Sequence, residues 1–494
     1  MCVLTEADVS DTIHYVRYTR HHGDTLPTPV CRLPSHHDHM TRFRLTLAGV
    51  GLALSSASAS AQSTATSTSF HLTPGTKVLA GNPLTIALVG VPPRSQVRVD
   101  AERLVFSSFH NGKRLLFRSY AEFAGGKGTV DLVSAAPTSG GYSGADVRGL
   151  FWSMVATPDS VPTGAQPNQV RLRARVGGRV VADTTIVFLN ALPEVRVEQV
   201  AAFPGALLAS LPGGGRRPVI IILGGSDGGS RAAREAPKFA SQGYAVLGLP
   251  YHSPAAGPGA PRELPDLPAD FADIPVERLN AVYDWLRTRD DVDPERIALY
   301  GSSKGAELAL LAASHFPWIR AVVAVAPSDV VWEGWGWGVT PGTRSSFSLN
   351  GTSLPYVPFE GFLDEMANMQ SGAPIHIRRF HDRGRAAHPE AVDAARIPVE
   401  RFRGKLMLVA GEDDQSWNSA AMTRSITARR AAAGLETVAL IFPDAGHLLN
   451  GNGWSPTTHY NVGQEQSGGT PVATARAQAE VWPAMLDFLR NALR

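Results

Sequence analysis

The chain has 494 residues, of which 44% are hydrophobic and 18% charged, with 48 glycines and 36 prolines. This composition is typical of a turn-rich globular protein of one large and one small domain or about three average ones, and it excludes a fibrous or largely disordered chain. A formal charge of +2, from 46 basic and 44 acidic residues, gives no long-range field that would gather nucleic acid. We therefore expect a small-molecule partner and no nucleic acid.

The first informative segment lies near the N-terminus. Two arginines follow Met40, residues 45–54 are apolar, and Ala59-Ser60-Ala61 is a small-residue cleavage site. These are the three regions of a secretory signal peptide, and the apolar run is too short for the alternative, a membrane anchor. We expect residues 40–61 to be removed and the mature protein to be periplasmic or secreted, without stable membrane insertion. Residues 1–39 are then a non-native extension before a start at Met40.

Both cysteines, Cys2 and Cys31, precede the predicted cleavage site. The mature chain would therefore have no disulfide framework, no thiolate zinc site and no cysteine nucleophile. We expect neither a metal nor a cofactor.

After a Ser/Thr-rich linker at 62–69, residues 70–195 alternate apolar and polar side chains in short runs broken by glycine and proline. This period of two predicts an antiparallel β-sandwich. No cluster of titratable residues has catalytic spacing there, so we expect a structural role. The predicted strands are 84–89, 97–100, 128–132, 170–174 and 180–188.

From residue 200 to the C-terminus, nearly continuous apolar strands alternate with helical patterns. Such a pattern predicts a mainly parallel sheet with helices on both faces. Residues 327–400 interrupt it as an insertion rich in Trp and Gly. The predicted strands are 218–223, 245–249, 296–300, 319–326, 405–410 and 437–442, and the predicted helices are 231–242, 275–289, 304–315 and 474–493.

Ser303 is the candidate nucleophile. It stands at the centre of Gly301-Ser302-Ser303-Lys304-Gly305, between a predicted strand and a predicted helix. In this context a G-x-S-x-G motif forms a sharp turn that exposes the serine hydroxyl above the sheet, as in α/β-hydrolases. The motif alone is weak evidence, because Gly224 to Gly228 also fits it around Ser226. We favour Ser303 for the strong apolar helix that follows it.

The earlier glycine-rich loop suits an oxyanion hole. Backbone N–H groups near Ser226 and Asp227, with the N–H of Lys304, would stabilise the developing charge. The alternative is a glycine-rich turn without chemistry. A dinucleotide site is disfavoured, because the spacing is not G-x-G-x-x-G and no acidic residue follows the next strand.

A serine nucleophile needs a histidine base and a carboxylate that orients it. Asp413 and Asp414 follow one predicted strand, and His447 follows the next, in the Ser–acid–His order of this fold. Strand ends of open α/β sheets are where ligands bind. We therefore predict a triad of Ser303, Asp414 and His447. Asp413 is the alternative acid, and the carboxylate that is not used would cap the following helix.

Three stretches, residues 139–154, 301–308 and 411–417, resemble the acyl-CoA thioesterase and bile acid-CoA:amino acid N-acyltransferase family, and the likeness extends from about residue 70 to the end. The resemblance implies an Ig-like front domain, an α/β-hydrolase domain and the same triad. The acyltransferase branch uses a cysteine nucleophile, so a serine implies hydrolysis of acyl thioesters. Because coenzyme A is cytoplasmic, predicted export leaves an ordinary carboxylic ester as an alternative substrate. A binding module that keeps the hydrolase fold without turnover is an alternative of another class.

The insertion at 327–400 is expected to form a cap over the site, with Trp335 and Trp337 binding the acyl chain, because apolar ligand pockets are lined largely by aromatic side chains. The alternative is that these tryptophans pack against the sandwich domain and hold the two domains together.

Overall fold

The computed structural model describes residues 67–494 except 111, 256 and 258. The predicted extension, the signal segment and most of the linker lie outside the described residues. Within the part that is described, no helix has both the length and the apolar composition needed to cross a bilayer.

The front domain consists of two β-sheets around a shared core. One sheet has the order β1-β3-β6 and the other β2-β10-β9-β4-β5-β7, with β8 beside β5. Neighbouring strands are antiparallel except β2 and β10, which are parallel. The strands are β1 (Ser69–Thr73), β2 (Lys77–Leu79), β3 (Thr85–Val89), β4 (Gln96–Ser107), β5 (Lys113–Ala124), β6 (Thr129–Asp131), β7 (Ser139–Gly140), β8 (Val155–Ala156), β9 (Gln169–Val176) and β10 (Arg179–Leu189), with a short helix α1 (Gly149–Trp152).

Alternation along the strands builds this core. Ile86 and Leu88 of β3 point inwards and join Val97 and Val99 of β4 and Phe117 of β5 in one buried cluster. Side chains two residues apart lie on the same face of a strand, so the period of two in the sequence is the period of burial. The predicted sandwich is confirmed. The sequence did not predict β5, the partner of β4 over twelve residue pairs.

The second domain is a mostly parallel sheet of eight strands in the order β11-β12-β14-β13-β16-β17-β20-β21. Only the β11/β12 and β12/β14 pairs are antiparallel. The strands are β11 (Arg196–Gln199), β12 (Leu207–Ser210), β13 (Arg217–Leu223), β14 (Ala245–Gly248), β16 (Val292–Ser302), β17 (Ile319–Val325), β20 (Lys405–Gly411) and β21 (Val438–Phe442). The helices that flank it are α2 (Ser230–Ala233), α3 (Ala236–Ala240), α4 (Arg278–Arg287), α5 (Lys304–His315), α9 (Ser419–Ala432) and α10 (Pro471–Ala492).

Both faces of this sheet are covered. Val219 and Ile221 of β13 pack into a cluster with residues of α4 and α5, whereas Ile220 and Ile222 pack into another with residues of α3 and α10. A strand buried on both faces has to be apolar at every position, which explains its continuous apolar sequence. The predicted α/β-hydrolase fold is confirmed.

One helix prediction agrees with the structure and another differs from it. Helix α5 has the predicted bounds, but the predicted helix 231–242 is split into α2 and α3. Pro237 lies at the start of α3, where it lacks the N–H that a continuous helix would need and suits a new first turn.

The insertion, residues 327–400, is here called the cap segment. It combines short strands with three helices and pairs with the loop that follows β14, for example between Phe271 and Trp335. Its elements are β18 (Phe347–Leu349), β19 (Thr352–Ser353), α6 (Phe362–Ser371), α7 (Ile377–Ala387) and α8 (Pro389–Ala394). Strand β18 pairs with β15 (Ile274–Pro275), which lies before the cap segment in the chain.

Residues 448–470, here called the clamp segment, connect the two domains. Trp454 in this segment is 2% exposed and belongs to the core of the front domain. Its ring lies edge-on to Phe151, with centroids 4.9 Å apart, and its carbonyl accepts a hydrogen bond from Arg103 at 3.1 Å. A tryptophan that the sequence analysis did not single out therefore makes a domain contact.

Candidate active site

Ser303 occupies a strained turn between β16 and α5. Its backbone has φ 56° and ψ −123°, in a region that residues with a side chain rarely adopt. Such strain persists only where the surrounding structure imposes it, and it is common at catalytic positions. The predicted strand-turn-helix context of Ser303 is therefore present.

The two glycines of the motif make this turn possible. A Cβ added to Gly301 would lie 2.1 Å from the carbonyl oxygen of Gly305, and one added to Gly305 would lie 2.2 Å from that of Gly224. Both distances are below any normal contact, so no larger residue fits without movement of the backbone. The glycines let the first turn of α5 approach the strand ends closely.

His447 and Asp414 form a hydrogen-bonded pair at the ends of β21 and β20. His447 Nδ1 lies 2.9 Å from Asp414 Oδ1 and 2.8 Å from Oδ2. The carboxylate also accepts hydrogen bonds from Ser419 Oγ at 2.6 Å and from the backbone N–H of Ser416 at 2.9 Å. These contacts hold the Asp414 side chain in one position, fully buried.

The electrostatics of the pair favour a protonated Nδ1. Burial lowers the pKa of His447, but the charge of Asp414, its hydrogen bond and the charge of Glu465 together raise it by more, so the net pKa lies above the ordinary 6.5. With its proton on Nδ1, a neutral imidazole has Nε2 free to accept a proton. The ring of Trp417 lies edge-on to His447 with centroids 5.7 Å apart.

Asp413, the alternative acid, has other partners. Its oxygens accept hydrogen bonds from Gln415 Nε2 at 2.6 Å and from the N–H of Gly469 at 2.9 Å. The expectation that it would cap the following helix is wrong, because the side chain of Asn418 accepts from the N–H of Ala421 and caps α9. The carboxylate that contacts His447 is that of Asp414.

Ser303 follows β16, and the pair of Asp414 and His447 follows β20 and β21, so all three leave the carboxyl edge of one sheet. Within the described residues, the Ser303 hydroxyl makes no hydrogen bond. Catalytic hydrogen bonds of this kind are often formed only with substrate bound.

The glycine-rich loop after β13 lies beside Ser303. A Cβ added to Gly225 would be 3.5 Å from Ser303 Cβ. Of the two predicted oxyanion residues in this loop, Ser226 is exposed, and Asp227 accepts a hydrogen bond from the N–H of Gly229 at 3.3 Å. The third, Lys304, is the first residue of α5, so its N–H has no carbonyl partner within the helix.

The side chain of Lys304 links the turn at Ser303 to the cap segment. Its buried ammonium donates to Glu307 Oε2 at 2.6 Å and to Ser346 Oγ at 2.8 Å. Glu307 in turn accepts from the N–H of Trp332 at 3.1 Å. The cap is thus joined to the first turn of α5 by charged hydrogen bonds. The only sequence signal for this link was the spacing of Lys304, in the motif, and Glu307, three residues further along the predicted helix.

The two predicted acyl-binding tryptophans lie against the catalytic domain. Trp335 stacks on Phe271 with centroids 4.4 Å apart and an angle of 3°, and it also lies 5.5 Å from the ammonium of Lys304. Trp337 donates from Nε1 to the carbonyl of Ala255 at 3.2 Å. These contacts place the Trp335 ring beside the buried ammonium of Lys304.

Comparison with known proteins extends to both domains. Residues 81–202 match the family model described as acyl-CoA thioester hydrolase/BAAT N-terminal region. Residues 274–494 match the one described as BAAT / acyl-CoA thioester hydrolase C terminal. The two models occur here in the order that their descriptions give.

Individual relatives align over most of their own length. Acyl-coenzyme A thioesterase 6 of Mus musculus is 26% identical over 429 residues, which are 83% of this chain and 93% of that protein. Acyl-coenzyme A thioesterase 6 of Homo sapiens is 27% identical over 440 residues, covering 85% and 96%. Among solved structures, the carboxylesterase EstE1 is 17% identical with a TM-score of 0.37, covering 61% of this chain and 90% of that one.

Proposed function

Because the chain belongs to the acyl-CoA thioester hydrolase and bile acid-CoA:amino acid N-acyltransferase family, we propose that it hydrolyses acyl thioesters through an acyl-enzyme on Ser303. The observation that carries the proposal is geometric. A strained serine turn leaves the same sheet edge as a buried Asp414–His447 pair. The broader conclusion, a hydrolase of acyl thioesters or esters, rests on the named activities of the relatives.

In the proposed reaction, Ser303 Oγ attacks the acyl carbonyl carbon while His447 Nε2 takes the hydroxyl proton. Asp414 holds the imidazole in the required tautomer and stabilises its positive charge. Collapse of the tetrahedral intermediate breaks the carbon–sulfur bond, and His447 gives its proton to the leaving thiolate. Water then attacks the acyl-enzyme with His447 again as base, which releases the acid and restores Ser303.

The choice of hydrolysis over transfer to an amino acid rests on the nucleophile. Residue 303 is serine, and both cysteines of the chain stand at positions 2 and 31, far from the motif in sequence. The resemblance associates the transfer branch with a cysteine nucleophile. A serine ester of the acyl chain is attacked by water with a histidine base in the same way as in other serine hydrolases.

The decisive variant is Ser303→Ala. We expect turnover of acyl thioesters to fall by at least about 10³-fold, since loss of the nucleophile leaves only binding and the oxyanion donors. Ser226→Ala is the matched variant in the other glycine-flanked motif, and it should lose far less, because the backbone N–H remains. Retained turnover in Ser303→Ala would contradict the proposal.

A fluorophosphonate probe separates the proposal from a binding module without turnover. Covalent labelling at Ser303 of folded protein supports the enzyme, and absence of labelling supports the module.

Export bears on the leaving group. The signal-like segment 40–61 lies outside the described residues, and we propose that it directs the protein to the periplasm or the exterior. An exported enzyme would meet thioesters other than acyl-CoA, or ordinary carboxylic esters. Rates on acyl-CoA and p-nitrophenyl esters of graded length, together with the cell fraction in which the protein is found, decide between these substrates.

A further inference from the structure

The phenol of Tyr251 lies beneath the glycine-rich loop that borders Ser303. Tyr251 follows β14 and is 2% exposed. Its hydroxyl oxygen lies 2.6 Å from the carbonyl oxygen of Gly224 and 2.8 Å from that of Gly225. The hydroxyl therefore donates to two consecutive peptide groups of the loop, in a bifurcated hydrogen bond.

This contact fixes the direction of two backbone donors. In a planar trans peptide the carbonyl and the N–H point in opposite directions. The Gly224 carbonyl shares its peptide with the N–H of Gly225, and the Gly225 carbonyl shares its peptide with the N–H of Ser226. Both N–H groups therefore point away from the phenol. Neither donates a hydrogen bond to any other group in the described part of the chain.

A loop of two glycines needs such a constraint. Glycine adopts many backbone conformations at little cost, so the peptides at Gly224 and Gly225 could rotate. A rotated peptide would present a carbonyl where an N–H is required, and its partial negative charge would repel an oxyanion. The phenol opposes this rotation by binding both carbonyls at once, and the N–H of Gly228 holds the Gly225 carbonyl as well, at 3.0 Å.

Tyr251 is itself firmly held and stays protonated. Its N–H donates to the carbonyl of Gly228 at 2.8 Å, and its ring lies edge-on to Phe271 with centroids 6.0 Å apart. Burial, together with the nearby charges of Asp227 and Glu307, raises the pKa of Tyr251 well above the ordinary 10. The hydroxyl therefore remains protonated, and a donor, at neutral pH.

We propose that Tyr251 is a positioning residue that orients the N–H groups of Gly225 and Ser226 as oxyanion donors for the reaction at Ser303. The inference rests on the proposed function. It replaces Asp227 of the predicted oxyanion set with Gly225, which lies beside Ser303, and keeps the N–H of Lys304 as a further donor. Tyr251 acts through the loop and does not touch the substrate.

Tyr251→Phe removes the hydroxyl and keeps the ring. We expect kcat to fall about 10- to 100-fold with KM changed less than about threefold, since misplacing an oxyanion donor weakens interactions made in the transition state. Tyr244→Phe is the matched control, because the Tyr244 hydroxyl is also buried but has no hydrogen-bond partner in the described part of the chain. Its kcat should stay within about twofold of the parent.

A transition-state analogue distinguishes positioning from a general loss of structure. An acyl trifluoromethyl ketone forms a tetrahedral adduct with the serine and places an oxyanion in the hole. Its inhibition constant should rise by the factor by which kcat/KM falls, while the inhibition constant of the free fatty acid stays nearly constant. Rates are expressed per active site titrated with fluorophosphonate, so partial misfolding does not imitate the effect.

Ser303→Ala, measured beside these variants, separates a failure of the inference about Tyr251 from a failure of the proposed function. If Ser303→Ala loses turnover and Tyr251→Phe keeps its kcat within twofold, the inference about Tyr251 is wrong and the proposed function stands. If Ser303→Ala keeps its turnover, both are wrong. A parallel fall in kcat/KM and in affinity for the ketone supports the inference.

Discussion

The cap segment and the clamp segment both carry buried aromatic side chains, but they pack against different partners. In the cap segment, Trp335 stacks on Phe271 of the catalytic domain and lies near the buried ammonium of Lys304. In the clamp, Trp454 is part of the core of the front domain. The residue type alone therefore does not tell a tryptophan that packs within the catalytic domain from one that joins the two domains. The side chains against which each tryptophan packs do distinguish them, and four predictions test this distinction.

The largest expected effect is that of Trp454→Ala. Deleting a fully buried tryptophan removes its contacts with Phe151 and Phe188 and leaves a cavity, which costs about 3–5 kcal/mol of unfolding free energy. Urea unfolding measures this loss. Trp454→Phe should lose less, and the acyl chain-length preference of both variants should equal that of the parent. Near-parental stability of Trp454→Ala would show that Trp454 does not join the clamp segment to the front domain.

The next effect concerns the hydrogen bonds that join the cap segment to the first turn of α5. Lys304→Met leaves Glu307 buried without its counter-charge, which should cost about 3 kcal/mol. Replacing Glu307 with Leu as well removes the unpaired charge, so the double variant should regain part of that stability. Proteolysis of the cap segment should nevertheless be faster in both variants than in the parent. Additive losses in the double-mutant cycle would show that the two side chains do not act as a pair.

A smaller effect follows from pH. In the clamp segment, burial lowers the pKa of His459 to about 4, and nearby His110 adds to this. Between the ordinary 6.5 and about 4 the unfolded chain binds a proton that the folded chain does not, so stability falls as the pH is lowered through this window. Other buried histidines contribute in the same direction. His459→Gln should therefore lose less stability between pH 7 and pH 4.5 than the parent, measured by thermal unfolding. An equal loss would mean that His459 does not contribute.

The smallest change in stability is expected from Trp335→Ala. The ring is half-buried, and its removal deletes the stack on Phe271 and the contact with the Lys304 ammonium, which together should cost about 1–2 kcal/mol. The kinetic effect should be larger in relative terms, because opening an acyl pocket changes the ratio of kcat/KM between long and short chains about tenfold. Trp337→Ala provides a second test at the same edge. A lower melting temperature with an unchanged substrate profile would contradict the cap interpretation.

The candidate site could be predicted where local sequence is sufficient. Ser303 stands in a motif whose small residues are needed for one tight turn, and α5 has the bounds that its apolar pattern indicates. Asp414 and His447 each follow a largely apolar strand. Because parallel strands bring their carboxyl ends to one edge, the order of elements was enough to expect these residues at the same edge.

Other features depend on contacts that are distant in sequence. The contact of Trp454 with Phe151 joins positions about 300 residues apart, and nothing near either residue indicates it. Tyr251 acts through the orientation of carbonyls, which a sequence pattern does not encode. Strand β5 was missed because Leu115 to Phe117 are three apolar residues in a row and break the alternation that marks a half-buried strand.

The clamp segment begins directly after His447 in the sequence, and its far end contacts the backbone of His447 again. The carbonyl of Ser467, near its far end, accepts the N–H of His447 at 2.9 Å and that of Gln415 at 3.3 Å, while Trp454 in its middle is anchored in the front domain. The backbone of His447 is therefore held by a segment whose middle is anchored in the front domain. A catalytic half expressed alone would keep the Ser467 hydrogen bond but leave Trp454 without its buried site, and a chimera with a foreign front domain would have to rebuild that site.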